Sequence, residues 1–378
     1  MTSPLLDLET PAALIDDARM ARNIARMQDR MDTLGVALRP HGKTSKCVEV
    51  VRRQLAAGAR GLTASTLKEA EVFFAAGVTD ILYAVGIAPQ KLDRVLALRR
   101  AGCNFAILTD SVAGARAIVD KGRAENHAFA VMIEVDTDGH RSGVGPDDEL
   151  LVAIGRTLAA GGAELRGVMT HAGSSYALNS DDALARLAEQ ERKLCVHAAS
   201  RLRAAGLPCP VVSVGSTPTA FSARALDGVT EVRAGVYVFF DLVMANVGVC
   251  APQDVALSVL TSVIGHQDDK GWAIVDAGWM AMSRDRGTQS QAIDYGYGAV
   301  CDLAGNLIAD CIMTGANQEH GIVAFRAGPA RDIARRFPVG SRLRILPNHA
   351  CATATQFSEY HVLDDTGAVQ RWRRFHGW

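Results

Sequence analysis

The residue best suited to chemistry is a lysine in a chain that contains few of them. Only seven lysines occur among the 378 residues, and two of them, Lys43 and Lys46, lie in the stretch Arg39-Pro-His-Gly-Lys-Thr-Ser-Lys46. An enclosed site of low dielectric constant disfavours the ammonium ion and leaves a nucleophilic amine. We therefore expect Lys43 to form an imine with an aldehyde cofactor; the alternative is a solvated surface lysine.

A second candidate is the pair His349 and Cys351 in Pro347-Asn-His-Ala-Cys-Ala-Thr353. If this segment is extended, its side chains alternate with a period of two, so the imidazole and the thiolate point to the same side. Nitrogen and sulfur together suit Zn²⁺, and a catalytic zinc keeps open positions for water or substrate. The spacing predicts a metal site, although a short H-x-C pattern also fits a structural pair.

Two glycine-containing turns indicate a phosphate site. The stretches Ser213-Val-Gly-Ser-Thr217 and Arg233-Ala-Gly-Val-Tyr237 each follow a predicted strand and offer hydroxyl groups and free backbone N–H groups. Such groups bind phosphate oxygens, whereas either glycine alone would be interpreted as an ordinary turn residue. The predicted phosphate-binding residues are Gly215, Ser216, Thr217, Gly235, Val236 and Tyr237.

Polar residues also follow two other predicted strands. Arg141, in the stretch from Glu134 to Gly143, could pair with an ionised phenolic oxygen of a cofactor or form an ordinary surface salt bridge. His171, in Thr170-His-Ala-Gly-Ser-Ser-Tyr176, could stack on a flat ring or be a satisfied core histidine.

These residues need a regular framework, and the pattern over residues 36–240 supplies one. A short apolar run, a helical stretch and a glycine before the next run repeat along it, which is typical of β/α units. The predicted strands begin near Ala37, Gly61, Asp80, Asn104, Phe129, Leu165, Val211 and Glu231. Eight parallel strands joined by helices predict an α/β (β/α)₈ barrel, with its site at the carboxyl ends of the strands.

After Asp241 helical runs become scarce, and extended segments predict an antiparallel β domain. The predicted segments are residues 255–265, 272–276, 322–325, 342–346 and 360–372. Residues 12–16 are apolar and could add a strand to this domain. We predict a barrel over residues 10–245 and a β domain over residues 250–378, with residues 1–9 as a candidate addition to the β domain.

Composition limits the partners. A formal net charge of -1 offers no basic field for nucleic acid or anionic lipid. Residues 1–10 lack a secretory pattern and no apolar run is long enough to cross a bilayer, so we expect a cytoplasmic protein that does not bind membranes. Eight scattered cysteines without a C-x-x-C pair predict reduced, mostly buried thiols, Cys351 excepted.

In their order, the motifs resemble the group of D-threonine aldolases and D-serine dehydratases, which shares the alanine racemase barrel. The ordered set spans essentially the whole chain and consists of Arg39-Pro-His-Gly-Lys43, residues 136–143, His171-Ala-Gly, the Gly215-Ser-Thr turn, Glu319-His-Gly and His349-Ala-Cys351.

The resemblance implies two cofactors. Pyridoxal 5′-phosphate would be bound by Lys43 as a Schiff base, with Arg141 at its O3′ atom and the two glycine turns at its phosphate. Zn²⁺, or another divalent cation such as Mn²⁺ or Co²⁺, would be held by His349 and Cys351 at the same site. The residues implied on the substrate side are Thr170, His171 and Tyr176.

The cysteine of the metal pair implies one activity within the group. Aldolases of the group tend to have His-x-Asp there, whereas the dehydratases acting on D-serine and D-threo-3-hydroxyaspartate have His-x-Cys. Residues 137–144 and 278–286 are most similar to the D-threo-3-hydroxyaspartate dehydratases. The resemblance therefore implies a lyase, a homodimer by family likeness, that converts a small β-hydroxy D-amino acid into a 2-oxo acid and ammonia.

Alternatives stay open. A D-threonine aldolase would release glycine and an aldehyde. A racemase would need no metal and would use a second acid/base such as Tyr295 or Tyr297. A pyridoxal-phosphate carrier resembles the barrel alone, so the long C-terminal region argues against it. For a substrate with a second carboxylate, the candidate partners are Arg141, Arg284 and Arg286.

Overall fold

The computed structural model describes residues 4–330 and 332–378. The chain divides into two compact units, each with its own sheet. The barrel unit contains Arg26–Gly235 and the last two residues, and the β unit contains the N-terminal residues up to Ala25 together with Val236–His376. The bounds predicted for two domains, 10–245 and 250–378, stay a prediction.

The described residues form strands and helices in regular alternation up to the last barrel strand. The strands are β1 Ala12–Asp16, β2 Ala37–Leu38, β3 Leu62–Ala64, β4 Asp80–Gly86, β5 Asn104–Thr109, β6 Ala130–Glu134, β7 Glu164–Met169, β8 Val211–Val214, β9 Glu231–Val232, β10 Leu257–Gln267, β11 Trp272–Val275, β12 Ala299–Cys301, β13 Leu307–Ala316, β14 Gly321–Phe325, β15 Arg342–Leu346, β16 Glu359–Leu363 and β17 Val369–Arg373. The α-helices are α1 Asp17–Thr33, α2 Val48–Ala56, α3 Leu67–Ala75, α4 Leu92–Arg100, α5 Val112–Ala124, α6 Glu149–Ala160, α7 Asp181–Ala204, α8 Thr217–Ser222, α9 Leu242–Val247, α10 Trp279–Met282, α11 Ile333–Arg336 and α12 Ala350–Ala354.

The barrel unit confirms the predicted parallel barrel. Its eight strands have the order β2-β9-β8-β7-β6-β5-β4-β3, and each begins within one residue of its predicted start. A parallel bridge between His41 and Thr63 joins the two ends of this sheet, and the N–H of Gly42 donates to the carbonyl oxygen of Thr63 at 2.9 Å. The sheet is therefore closed, and its carboxyl ends form one rim.

Local sequence explains these elements. Strand β6 is buried at every position, as expected of a parallel strand that is covered on both faces. The helices that follow several strands begin at residues whose side chains accept a backbone N–H of the first turn, which satisfies a donor that the helix cannot. These N-cap residues are Thr66, Ser111, Asp148 and Ser180.

The β unit confirms the predicted antiparallel domain. Strands β11, β14, β13, β12, β15 and β10 follow one another, and pairing between β10 and β11 closes them into a ring. The predicted N-terminal strand is confirmed, because β1 pairs antiparallel with β10 and parallel with β16. Side chains such as Val259, Val275, Met313 and Ile345 form the core of this unit. The sequence prediction missed β12 and β13.

The structure agrees with the prediction of reduced, mostly buried cysteines. All eight cysteines are free; six are buried, while Cys250 and Cys351 are half-buried. Within residues 4–330 and 332–378, no helix has the length and apolar character needed to cross a membrane.

Gly167 allows β7 and β8 to approach closely. Its φ is +147°, and an added Cβ would overlap the carbonyl oxygen of Val211 on the neighbouring strand. We expect Gly167→Ala to lower the stability of the barrel by about 2–4 kcal/mol, because backbone strain and a main-chain clash add together. Thermal unfolding monitored by circular dichroism would measure this.

Gly77→Ala is the matched control, since Gly77 also has a positive φ, +96°, but nothing lies within 4 Å of its added Cβ. It carries the backbone strain alone, about 1–2 kcal/mol. Equal losses of melting temperature in the two variants would contradict the steric explanation.

Candidate active site

Lys43 lies on the turn that follows β2, at the carboxyl rim of the barrel. Its side chain is exposed, whereas the sequence led us to expect an enclosed one. Its backbone N–H donates to Nδ1 of His41 at 3.4 Å. The other lysine of the motif is engaged: Nζ of Lys46 lies 3.2 Å from a carboxylate oxygen of the fully buried Glu69. Of the two amines, that of Lys43 is therefore the one free to react.

Two half-buried histidines lie near this lysine. Burial, together with the charges of Lys43 and Arg233, lowers the pKa of His41 well below its ordinary value. Burial lowers the pKa of His171 to about 3, and Lys43 and Arg233 act in the same direction. Both rings are consequently neutral at neutral pH. The ring of His171 lies 6.2 Å from that of Tyr176, centroid to centroid, at an angle of 45°.

Arg233 is a buried cation at the rim that the sequence prediction did not identify as functional. Its Nε donates to Oγ of Ser213 at 2.9 Å, and a terminal nitrogen donates to the carbonyl oxygen of Thr170. Ser213 in turn donates to Glu231 at 2.8 Å. These bonds join the ends of β7, β8 and β9. An arginine directly after a predicted barrel strand was the available signal.

The turn after β8 requires glycine at its centre. Gly215 has a φ of +121°, and an added Cβ would lie 2.6 Å from the carbonyl oxygen of Arg233. The prediction that this turn offers free backbone N–H groups is wrong for two residues. The N–H of Gly215 donates to Glu191 at 3.2 Å, and the N–H of Ser216 donates to Oγ1 of Thr219 at 3.0 Å. A buried helix carboxylate and the capping box of α8 use these donors.

The turn after β9 retains unused donors. In the part of the chain that the structure describes, the N–H groups of Gly235 and Val236 donate to no acceptor. An added Cβ on Gly235 would lie 3.2 Å from Cβ of His41. Tyr237 is fully buried. This turn is thus tightly packed yet able to offer backbone donors to an anion.

Arg141 lies in the loop after β6, with 59% of its side chain exposed. Its nearest carboxylate is that of Glu134, at 3.9 Å, and burial raises the pKa of Glu134. The loop itself is held in place, because both the N–H and the hydroxyl of Ser174 donate to Asp138, at 2.9 and 2.8 Å. Arg141 is therefore a weakly paired cation on an anchored loop.

The other two candidate arginines are occupied. Arg286 pairs with Asp294 at 2.8 Å. The guanidinium of Arg284 lies 4.4 Å from the centre of the Trp279 ring.

The prediction that His349 and Cys351 lie on an extended segment is wrong. Strand β15 ends at Leu346, and the alanine-rich run that follows forms α12, with His349 at its N-cap and Cys351 in its first turn. The two side chains nevertheless form a hydrogen bond. Geometry at a helix start, rather than strand alternation, brings nitrogen and sulfur together.

Asp285 is a member of this cluster that the sequence prediction missed. Its Oδ2 lies 2.5 Å from Nδ1 of His349. Burial lowers the pKa of His349, but hydrogen bonds to Asp285 and Cys351 outweigh it and raise that pKa to about 11. The acidic groups around His349 therefore favour a positive charge at this position, as a site for a metal cation would. A carboxylate on one ring nitrogen also orients the other toward a metal.

The described ranges, 4–330 and 332–378, contain no group of three His, Cys, Asp or Glu side chains arranged to hold a metal. A metal at His349 and Cys351 would thus have two protein ligands, one fewer than the three usual in catalytic zinc sites, and its other positions would be open to water or substrate.

We expect Asp285→Asn to weaken metal binding by about 10–100-fold, the usual effect of removing such an orienting carboxylate. Equilibrium dialysis against buffered Zn²⁺ would measure the dissociation constant. Asp268→Asn removes an exposed carboxylate from the same unit and should leave metal affinity unchanged. Equal affinity in all three proteins would show that Asp285 has no part in the metal site.

Known proteins resemble the chain over its whole length. One matching family model is described as alanine racemase, N-terminal domain, over residues 15–243, and another as putative serine dehydratase domain, over residues 256–363. D-threo-3-hydroxyaspartate dehydratase of Delftia sp. (strain HT23) is 67% identical, covering 100% of both chains. D-threonine aldolase of Arthrobacter sp is 29% identical, covering 93% of this chain and 88% of the relative.

A solved structure agrees with the sequence comparison. It is a cysteine-to-alanine mutant of D-threo-3-hydroxyaspartate dehydratase in the metal-free form, 67% identical, with a TM-score of 0.99 and 100% coverage of both chains.

Proposed function

The chain belongs to the family that joins an alanine racemase N-terminal domain to a serine dehydratase domain, and from that premise we propose that it is a dehydratase of β-hydroxy D-amino acids. Its proposed substrate is D-threo-3-hydroxyaspartate. The observation that carries this proposal is 67% identity over the full length to a dehydratase of that compound, against 29% to a D-threonine aldolase. Loss of water and subsequent hydrolysis give a 2-oxo acid and ammonia.

Pyridoxal phosphate fits the barrel residues. Gly215 forms a turn that a Cβ would fill, and the N–H groups of Gly235 and Val236 are unused donors in the described chain. Gly215–Thr217 and Gly235–Tyr237 would hold its phosphate, and Nζ of Lys43 would hold its aldehyde carbon. When bound, the cofactor supplies an electron sink for the pair left at the α-carbon.

The chain's own residues would then move the proton and orient the rings. Nζ of Lys43 would accept the α-proton of the substrate. Arg141 would pair with the phenolic oxygen of the cofactor, because its side chain is exposed and only weakly paired with Glu134. His171 and Tyr176 line the substrate side, where a neutral imidazole can accept or donate a hydrogen bond without adding charge.

A metal completes the proposal. We assign Zn²⁺ to His349 and Cys351, with Mn²⁺ and Co²⁺ as competitors to be tested, because nitrogen and thiolate together suit zinc. When bound, it supplies the Lewis acidity that lets a hydroxide leave. The metal-free cysteine mutant of the dehydratase supports a metal in this family.

The experiment is a product assay. The purified protein is incubated with D-threo-3-hydroxyaspartate, D-serine and D-threonine, with the L-threo isomer as the stereochemical control, and ammonia, 2-oxo acid and glycine are measured. We expect ammonia and oxo acid in equal amounts, fastest from the hydroxyaspartate. Glycine without ammonia would show that the protein is an aldolase and not a dehydratase. No turnover of any substrate would refute the proposal that it is an enzyme acting on β-hydroxy D-amino acids.

The family resemblance also leads us to propose a cytoplasmic homodimer that acts on this small molecule. Sedimentation equilibrium would test the stoichiometry directly, with a mass of about twice 40.2 kDa expected.

A further inference from the structure

A buried carboxylate in the barrel unit has no role in the chemistry described so far. Glu191 lies on α7, and its side chain is 2% exposed. Burying an ionisable group costs stability unless it is well bonded, and burial raises the pKa of Glu191. The hydrogen-bond partners of Glu191 therefore indicate the role of this buried carboxylate.

Those partners lie on the turns that carry the candidate site. Oε1 of Glu191 accepts the N–H of Ala172 at 2.9 Å and the N–H of Gly215 at 3.2 Å. A further hydrogen bond joins Glu191 to the side chain of Thr219 at the start of α8. One oxygen thus ties the turn after β7 to the turn after β8.

The same two turns meet at His171. Nδ1 of His171 lies 3.0 Å from the carbonyl oxygen of Gly215. Because a carbonyl oxygen only accepts hydrogen bonds, Nδ1 must carry the proton. The neutral ring then has an unprotonated Nε2. Gly215 is consequently fixed from both ends, its N–H by Glu191 and its carbonyl group by His171.

We propose that Glu191 is a positioning residue that locks the turns after β7 and β8 together, so that His171 keeps its proton on Nδ1 and presents Nε2 as a hydrogen-bond acceptor. Without the carboxylate, two buried N–H groups lose their acceptor and the Gly215 turn reorganises. The consequence for cofactor binding rests on the proposed function, because Gly215 belongs to the proposed phosphate site. The consequence for the His171 tautomer does not.

The first test is made on the apoprotein. ¹⁵N-histidine labelling distinguishes protonated from unprotonated ring nitrogens by chemical shift, and the His171 signals are identified as those absent from His171→Asn. In the wild type we expect a protonated Nδ1 and an unprotonated Nε2. A wild-type His171 with its proton on Nε2 would overturn the proposal without any Glu191 variant.

The second test compares variants at position 191. Glu191→Met has similar volume but no acceptor, and we expect mixed tautomers of His171 and a dissociation constant for pyridoxal phosphate raised about tenfold or more. Glu191→Gln keeps an accepting oxygen and should restore most of both properties. Glu189→Gln is the control, since Glu189 lies on the same helix but is 41% exposed and pairs with Lys193.

A purely structural role for Glu191 predicts another pattern. Glu191→Met would then melt at a lower temperature while His171 and the cofactor dissociation constant stay as in the wild type, and the proposal would fail. If Glu191→Met does not fold, Glu191→Asp, which is too short to reach both N–H groups, replaces it with the same expected direction. A wild type that does not bind pyridoxal phosphate refutes the proposed function, whereas the tautomer measurement still decides the role of Glu191.

Discussion

Lys43→Ala is expected to lower the rate of ammonia release by at least about 10³-fold, because the variant loses both the covalent hold on the cofactor and the base for the α-proton. Its fold should be unaffected, since the Lys43 side chain is exposed. Steady-state assay with D-threo-3-hydroxyaspartate measures the rate, and thermal unfolding checks the fold. Added methylamine should restore part of the activity by supplying a nitrogen base.

Lys46→Arg is the matched control for this variant. It lies in the same turn and keeps a cation opposite the buried Glu69. We expect it to retain cofactor binding and most of the activity. If Lys43→Ala were as active as Lys46→Arg, the amine of Lys43 would have no part in the reaction.

Cys351→Ala, or removal of the metal by a chelator, is expected to lower ammonia release by at least about 100-fold, because the hydroxide then leaves without a Lewis acid. Exchange of the α-proton with deuterated water should continue, since Lys43 and not the metal removes that proton. Mass spectrometry of recovered substrate measures the exchange. Added Zn²⁺ should restore the chelated wild type but not the variant.

Cys250→Ala controls for the loss of a thiol, since Cys250 is the other half-buried cysteine and should be dispensable. Cys351→Asp tests the ligand more sharply, because a carboxylate is a harder ligand and should shift preference from Zn²⁺ toward Mn²⁺. Undiminished ammonia release after chelation would exclude the metal mechanism.

The barrel could be predicted from sequence because most of its strands are short apolar runs, and most of these runs are followed by a helix with local signals. Strands β12 and β13 escaped prediction for a physical reason. Strand β12 has three residues, and β13 carries Asp310 with a positive φ and a register shift near Gly315. Neither gives a clean alternation, so pairing with neighbours rather than local pattern defines them.

The candidate site was predictable only in part. Motif residues such as Lys43 and His349 follow from type and position, whereas Asp285 and Glu191 act on residues that are distant in the chain, His349 and Gly215. Such pairs are created by tertiary structure, and a single sequence carries no signal for them. The incorrect strand around His349 has a local cause, since five residues rich in alanine are too few to show helical periodicity.

The most direct test of the account is to find which residue carries the cofactor. The holoenzyme is reduced with borohydride, digested with trypsin and mapped by mass spectrometry. We predict a pyridoxyl group on Lys43 in a peptide that continues to Lys46, because trypsin does not cut after the modified side chain. A pyridoxyl group on any other lysine, or an unmodified Lys43 in protein that had bound the cofactor, would contradict the account.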